Sequence, residues 1–227
     1  MPDELFDQYA EVYKNSLEQG LALAGESQEY FAKKRVDHSG TLLSGVNVGK
    51  VLDFGCGTGG TLPLLFDTLR AKEGVGLEVS QKSIDVARRM YPAHRFHLMS
   101  EFNEPSSFDV AYCNGVFHHI PPADRPDILS YIFRLLKPGG YFAFWENNPW
   151  NPGTQLIMRR IAFDRDAVKI SIPQGKKLLT SAGFSVERVN SLFLFPHALR
   201  WMRGLEKWIL TFPVGGQYII LARKPGV

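Results

Sequence analysis

Apolar residues recur with two different periods along this chain. Over residues 3–19, Leu5, Phe6, Tyr9, Val12, Tyr13 and Leu17 lie three or four positions apart, which predicts an amphipathic helix. Residues 26–43 continue the helical pattern. From residue 50 the apolar residues gather into short runs instead. The spacing predicts strands over 50–54, 74–79, 95–99, 108–113 and 141–145. Between them it predicts helices over 60–72, over 81–90 with Ser80 as N-cap, and over 123–136 before Lys137-Pro138-Gly139-Gly140. Strands alternating with helices through short loops imply right-handed parallel crossovers, with helices on both faces of one sheet. The expectation is a doubly wound α/β fold. Beyond 146 the pattern loosens around Pro149, Pro152 and Pro173, then predicts a helix over 174–182 and strands over 184–195 and 217–224.

The strongest chemical signal is Val51-Leu52-Asp53-Phe54-Gly55-Cys56-Gly57-Thr58-Gly59-Gly60. A strand that turns at once into a helix, with its N–H groups close to a ligand, needs residues without a Cβ. Gly55-x-Gly57-x-x-Gly60 also satisfies the dinucleotide fingerprint, so glycines alone leave two ligand classes open. Asp53 shifts the balance. A carboxylate at the end of that strand suits a cationic amine and opposes a pyrophosphate. Glu78 ends the next strand, placed to accept ribose hydroxyls or else standing as a solvated acid, and Leu136-Lys137-Pro138-Gly139-Gly140 precedes the fifth strand.

Together these residues resemble the class I S-adenosylmethionine-dependent methyltransferases of the small-molecule subgroup, well over residues 45–146 and only in general plan afterwards. The resemblance implies a seven-stranded sheet with an antiparallel last strand, and S-adenosylmethionine as cofactor. Onto this chain it carries Asp53, Gly55, Cys56, Gly57, Gly59 and Glu78 as cofactor contacts, with Val79 packing on adenine. Ser100 or Glu101 stands near the position of the family's adenine-binding acid, and Phe102 is placed to stack on the base. Asn114, after the fourth strand, is implied beneath the methionine part. Phe6-Asp7-x-Tyr9-Ala10-x-x-Tyr13 resembles the family's opening segment, which folds over the cofactor with Tyr13 among its contacts, although Lys14 stands where an Asp is common. Three regions follow: a helical lid at 1–44, a cofactor-binding core at 45–146, and an acceptor side at 147–227.

At the carboxyl ends of the fourth and fifth strands lie His118, His119 and Glu146, the candidates for acting on the acceptor. Opposite side-chain directions in an extended chain let at most one histidine face a crevice. Glu146 either orients a polar acceptor or belongs to ordinary turn chemistry with Asn147, Asn148 and Asn151. Methyl transfer from a sulfonium mainly needs alignment and exclusion of water, and the pattern displays no catalytic dyad. Cys56, Cys113, His94 and His97 lack paired ligand spacing, so no metal is expected.

The chain has 227 residues, 44% hydrophobic and 22% charged, which suits one globular domain that needs no disulfide framework. Two cysteines, no apolar window of membrane-spanning length and a polar, acidic start fit a cytoplasmic protein. The net charge of +3 is too small to argue for nucleic acid and hides a division. Residues 1–146 carry 14 basic and 19 acidic side chains, net −5; residues 147–227 carry 12 and 4, net +8. The basic third, with Arg159, Arg160, Arg165 and Lys169, favours an anionic acceptor or surface. A basic, Trp-bearing amphipathic helix over 195–212 either packs on its domain or touches a membrane or lipid-like acceptor. The function expected is methyl transfer to a small molecule. A nicotinamide-dependent oxidoreductase, opposed by Asp53, and a binding protein without catalysis are the alternatives. Oligomeric state is left open.

Overall fold

The computed structural model describes residues 25–161 and 167–226. The expected helix at 3–19, with Tyr9 and Tyr13, and the basic residue Arg165 lie outside them.

Seven strands form one sheet in the order β3-β2-β1-β4-β5-β7-β6. They are β1 (Lys50–Phe54), β2 (Glu73–Glu78), β3 (Arg95–Leu98), β4 (Phe108–Asn114), β5 (Leu136–Asn147), β6 (Ser185–Leu192) and β7 (Gln217–Arg223). Strands β1 to β5 pair in parallel, and β7 runs antiparallel between β5 and β6. The α/β expectation and the antiparallel last strand therefore hold. Helices α1 (Gln28–Leu42), α2 (Leu62–Leu69) and α3 (Gln81–Met90) cover one face, and α4 (Arg125–Leu135) and α6 (Ile172–Ser181) the other. A further helix, α5 (Pro152–Arg160), follows β5.

Alternation along each strand divides the core. Leu52, Phe54, Phe142 and Phe144 pack towards α4 and α6, while Val51, Val110, Ala143 and Trp145 pack towards α1 and α2. The strand order reverses between β1 and β4, and at such a switch point the carboxyl ends diverge and leave a crevice.

Two expectations change. Residues 137–140 do not simply separate a helix from a strand: β5 already begins at Leu136, opposite Phe108, and the register shifts before Val110 meets Tyr141. Lys137-Pro138-Gly139-Gly140 forms the irregularity within the strand, tied down by hydrogen bonds between Gly139 and Lys224 and between Lys224 and Gly140. The helix expected over 195–212 is broken. Pro196 leads into a 3-10 segment, His197–Leu205, kinked at Leu199, and only α7 (Glu206–Ile209) is α-helical. Its tryptophans do not pack on the domain, since Trp201 is 77% exposed and Trp208 74% exposed.

Arg125 is the chief polar tie beneath the crevice. From the first turn of α4 it is buried, donating Nε to the carbonyls of Phe117 (3.1 Å) and Ile120 (3.0 Å) and Nη2 to that of Val168 (2.7 Å). Arg125→Met keeps the volume and leaves these carbonyls without their charged donor. It should cost about 2–3 kcal/mol, read as a lower urea midpoint with unchanged slope.

Candidate active site

The glycine-rich turn uses its glycines in different ways. Gly55 has φ +72°, and a Cβ there would stand 2.3 Å from Val116 Cγ2, so this glycine lets the β4 exit come close. Gly59, at φ +85°, would put a Cβ 2.9 Å from Ala87 and the Phe96 ring, so it seats the turn against α3 and β3. Gly57, at φ +53°, has nothing within 4 Å of its absent Cβ and lines a cleft. Glu78 ties the turn to β2. Its Oε2 accepts from Gly57 N (3.0 Å), and its Oε1 from Val79 N (2.8 Å) and Ser80 N (3.2 Å).

The cleft has a volume of about 1020 Å³ and opens at the carboxyl ends of β1 and β4. Single-ligand pockets span roughly 300–1,000 Å³, so this cleft stands at the upper end of that range. On its floor Asp53 and Tyr112 stand side by side in the β1–β4 register, and Arg35 of α1 lies over them. Arg35 donates Nη1 to Gln217 Oε1 (2.9 Å), and Gln217 donates Nε2 to Asn147 Oδ1 (2.9 Å). Five buried side-chain polar atoms among the described residues lack a hydrogen-bond partner. Four of them, Arg35 Nε, Asp53 Oδ2, Tyr112 Oη and Asn114 Oδ1, belong to residues lining this one cleft, and the Arg35 guanidinium stands near enough to the Tyr112 hydroxyl to interact with it without meeting full hydrogen-bond geometry. An orphaned buried polar atom costs about 1–3 kcal/mol, so a cluster of four marks a place built to meet a ligand. Burial, then the neighbouring Glu78 charge, push the Asp53 carboxyl up to about 7, with Arg35 pulling the other way. Burial pushes the Cys56 thiol well up, which makes it an inert wall atom.

A second cluster lies beside the first. Glu146 is 1% exposed, and its Oε1 accepts from Phe117 N (2.9 Å) and His118 N (3.3 Å). Its Oε2 meets His118 Nδ1 at 2.7 Å. The absence of a dyad expected from the pattern is thus corrected: 28 residues separate the two groups in sequence, and adjacent parallel strands bring them together. The two histidines are corrected as well. Residues 117–119 form a 3-10 turn, not extended chain, so both His118 and His119 line the cleft with ring centroids 4.1 Å apart.

The outer wall comes from Tyr30 and Phe31 of α1, Leu156 and Ile157 of α5, and Phe193 and Phe195. Glu26 pins the wall together, meeting His197 Nδ1 (2.9 Å) and Arg203 Nη1 (2.7 Å).

A family model described as "Methyltransferase domain" matches residues 52–142, the stretch from β1 into β5. The trans-aconitate 2-methyltransferase of Methylobacterium nodulans is 26% identical over 196 residues, covering 79% of this chain and 74% of that one. That of Escherichia coli O1:K1 / APEC is 26% identical over 142 residues, 60% of this chain and 56% of its own. The chain is a class I S-adenosylmethionine-dependent methyltransferase. Its cofactor is S-adenosylmethionine, and the oxidoreductase alternative falls away. Solved structures share the methyltransferase fold. One is an S-adenosylmethionine-dependent methyltransferase from Mesorhizobium loti (TM-score 0.60, 19% identity, 82% of this chain and 96% of that one). Another is a TehB-like methyltransferase from Corynebacterium glutamicum (TM-score 0.62, 18% identity, 98% of each chain).

Within this methyltransferase, the candidates read from sequence separate into three groups. Asp53, Gly55, Cys56, Gly57, Asn114, His118 and His119 line the cleft. Glu78, Val79, Ser100 and Glu101 lie outside its lining, and Gly59 is a packing residue. Phe102 is corrected to a core residue: its ring is buried between His97 (5.3 Å) and Phe108 (5.9 Å), not presented for stacking. Arg159 and Arg160 are exposed and Lys169 bonds Gln155, so of the cations in 147–227 only Arg203 lines the cleft among the described residues. Arg35 and Tyr112 were missed. The available signal was an arginine on the buried stripe of α1 with Val36 and Ser39, and a tyrosine between Val110 and Asn114 on one face of a strand. No helix among the described residues is long and apolar enough to cross a membrane.

Proposed function

We propose that the methyltransferase uses the floor of this cleft for the amino-acid end of S-adenosylmethionine and the outer wall for a small acceptor. The four orphaned atoms on the floor carry the proposal. An ammonium group satisfies Asp53 Oδ2, and a carboxylate takes the spare donors of Arg35, next to the Tyr112 hydroxyl. Asn114 Oδ1 offers a further acceptor, and the open face of Gly57 lets the backbone approach without a side chain in the way. Glu78 holds the turn in this shape and reaches towards the ribose, and the strand ends at Val79 and 100–101 take the adenine. The resident chemistry fits the group. When bound, S-adenosylmethionine supplies an electrophilic methyl on a positive sulfur, and the protein's task is to align acceptor, carbon and sulfur away from water. Residues 45–146, with Arg35 of α1, serve the cofactor, and 147–227, with Tyr30 and Phe31 of α1, wall in the acceptor.

The relatives named for trans-aconitate act on a small anionic acceptor, which supports a small molecule here too. The basic residues of the C-terminal third lend less to an anion than their number suggested, because Arg159, Arg160, Lys176, Lys177, Arg200 and Lys207 all face solvent.

Thermal melting tests the cofactor. A ligand at a hundredfold excess over its dissociation constant stabilises the native state by about 2.7 kcal/mol. S-Adenosylhomocysteine should raise the melting temperature and NAD should leave it unchanged. A shift with NAD alone would contradict the proposal.

A further inference from the structure

We infer that residues 199–214, together with Trp150, form a docking surface for an anionic lipid membrane, and that docking sets the mouth of the cleft against the headgroups. The inference goes beyond the cofactor placement and does not rest on it. Isolated exposed apolar side chains are ordinary on a protein surface, and a concentration of them is not. Of ten large apolar side chains exposed among the described residues, six fall within 199–214. Trp201, Leu205, Trp208 and Phe212 recur every three or four positions and are 77%, 51%, 74% and 59% exposed. The turn that carries Trp150 is tied to the same segment. Asn148 donates Nδ2 to the carbonyls of Pro213 (3.0 Å) and Gly215 (2.8 Å), and Asn151 donates Nδ2 to that of Val214 (2.8 Å).

The segment is fastened from its inner side. Glu206 accepts from the N–H groups of Leu194 and Phe195 (2.9 and 3.0 Å). Arg203 donates Nη1 to Glu26 (2.7 Å) and Nε to the Phe195 carbonyl (3.2 Å), and Ser191 N donates to the Leu210 carbonyl (2.7 Å). Glu206 and Arg203 thus hold the segment to the domain while its aromatic side chains face outward, the reverse of the arrangement water favours. Phe195, Pro196, Arg203 and Glu206 also line the cleft, so the exposed row stands at the cleft's edge.

Charge decides what this surface fits. Across 193–214 the only acid is Glu206, turned inward, whereas Arg200 and Lys207 face solvent. Lys207 Nζ lies over the Trp208 ring at 5.3 Å. The turn of Trp150 leads into α5, which adds the exposed Arg159 and Arg160, and residues 147–161 contain no acid. Aromatic rings beside arginine and lysine suit the boundary between headgroups and acyl chains, with the rings buried and the cations among the phosphates. A second copy of this chain is a poorer occupant. A two-fold contact would set one basic patch against another, and like charges brought together are costly.

Vesicles of phosphatidylcholine alone, and of phosphatidylcholine mixed equally with phosphatidylglycerol, test the inference on the full chain. Co-sedimentation should show binding to the anionic vesicles at least about tenfold tighter than to the neutral ones, weakening as salt rises. Tryptophan emission should shift to the blue on binding, because Trp150, Trp201 and Trp208 leave water while Trp145 is already buried. Trp201→Ala and Trp208→Ala should each weaken binding by about tenfold or more. Arg200→Gln with Lys207→Gln should weaken it about 25-fold, fivefold for each cation. All four side chains face solvent, so these variants should melt as the unaltered chain does, which separates lost docking from lost folding. Without lipid, acrylamide should quench most of the emission. Absence of binding overturns the inference, as do equal binding to both vesicles, binding without a blue shift, and binding that these substitutions leave unchanged. A concentration-dependent dimer in light scattering that Trp201→Ala abolishes would assign the surface to a second copy. Poor quenching by acrylamide would show the surface covered by the chain itself. Either result also overturns the inference.

Discussion

Asp53→Asn should melt higher than the unaltered chain and yet lose its cofactor. The carboxyl is pushed up to about 7 from 3.8, mainly by burial and then by Glu78, so keeping it ionised above that pH works against folding. A raised acid pKa adds stability at low pH, where the group is protonated in both states, and that stability is lost as pH rises through about 7. Three pKa units correspond to about 4 kcal/mol, which the attraction to Arg35 and solvent relaxation reduce. At about pH 8 the amide should gain on the order of 2–4 kcal/mol, or roughly 5–10 °C in melting temperature, and at about pH 4 almost nothing. The same substitution removes the anion facing the ammonium of S-adenosylmethionine. Stabilisation by S-adenosylhomocysteine should largely disappear. An unchanged ligand shift would mean that Asp53 is a structural acid only.

A pair of glycine substitutions should split folding from binding. Gly59→Ala places a methyl 2.9 Å from Ala87 Cβ and from two atoms of the Phe96 ring, at a φ of +85°. Overpacking costs about 1–3 kcal/mol and the left-handed backbone about 1–2 more, so a loss near 3 kcal/mol is expected. Gly57→Ala meets no protein atom within 4 Å and bears only the backbone cost, about 1–2 kcal/mol. Its methyl projects into open space at the cleft, so cofactor affinity should fall at least about tenfold while the fold survives. Chemical denaturation and calorimetry read the two effects separately. Equal loss of stability in both variants would show that the turn has no open ligand face.

Much of this could be read from the chain because it is local. The strand–turn–helix of Lys50–Phe54 and the glycines, Ser80 as a cap accepting from Ser83 N, and the βα alternation all depend on neighbours in sequence. What escaped depends on contacts between distant segments. Asp53 and Tyr112 face one another only because β1 pairs with β4, and Arg35 reaches them only because α1 crosses that face. His118 meets Glu146 through the alignment of β4 with β5. Elsewhere a local pattern misled. The 195–212 stretch has helical spacing, but Pro196 and the kink at Leu199 break it into short turns that leave Trp201 and Trp208 in solvent. Phe102 sits near the expected adenine position, yet the apolar space beside Phe108 takes its ring, and Tyr131 Oη holds its carbonyl at 2.8 Å.

The central claim is that this cleft holds the cationic end of S-adenosylmethionine against Asp53. Calorimetric titration of the full chain with S-adenosylmethionine, at about pH 6 and about pH 7.5, measures it directly. Because Asp53 must lose its proton to bind, affinity should be roughly tenfold tighter at the higher pH, with proton release on binding at the lower one. Asp53→Asn should bind weakly at both. Tight binding that is the same at both pH values, or that survives Asp53→Asn, would contradict the account.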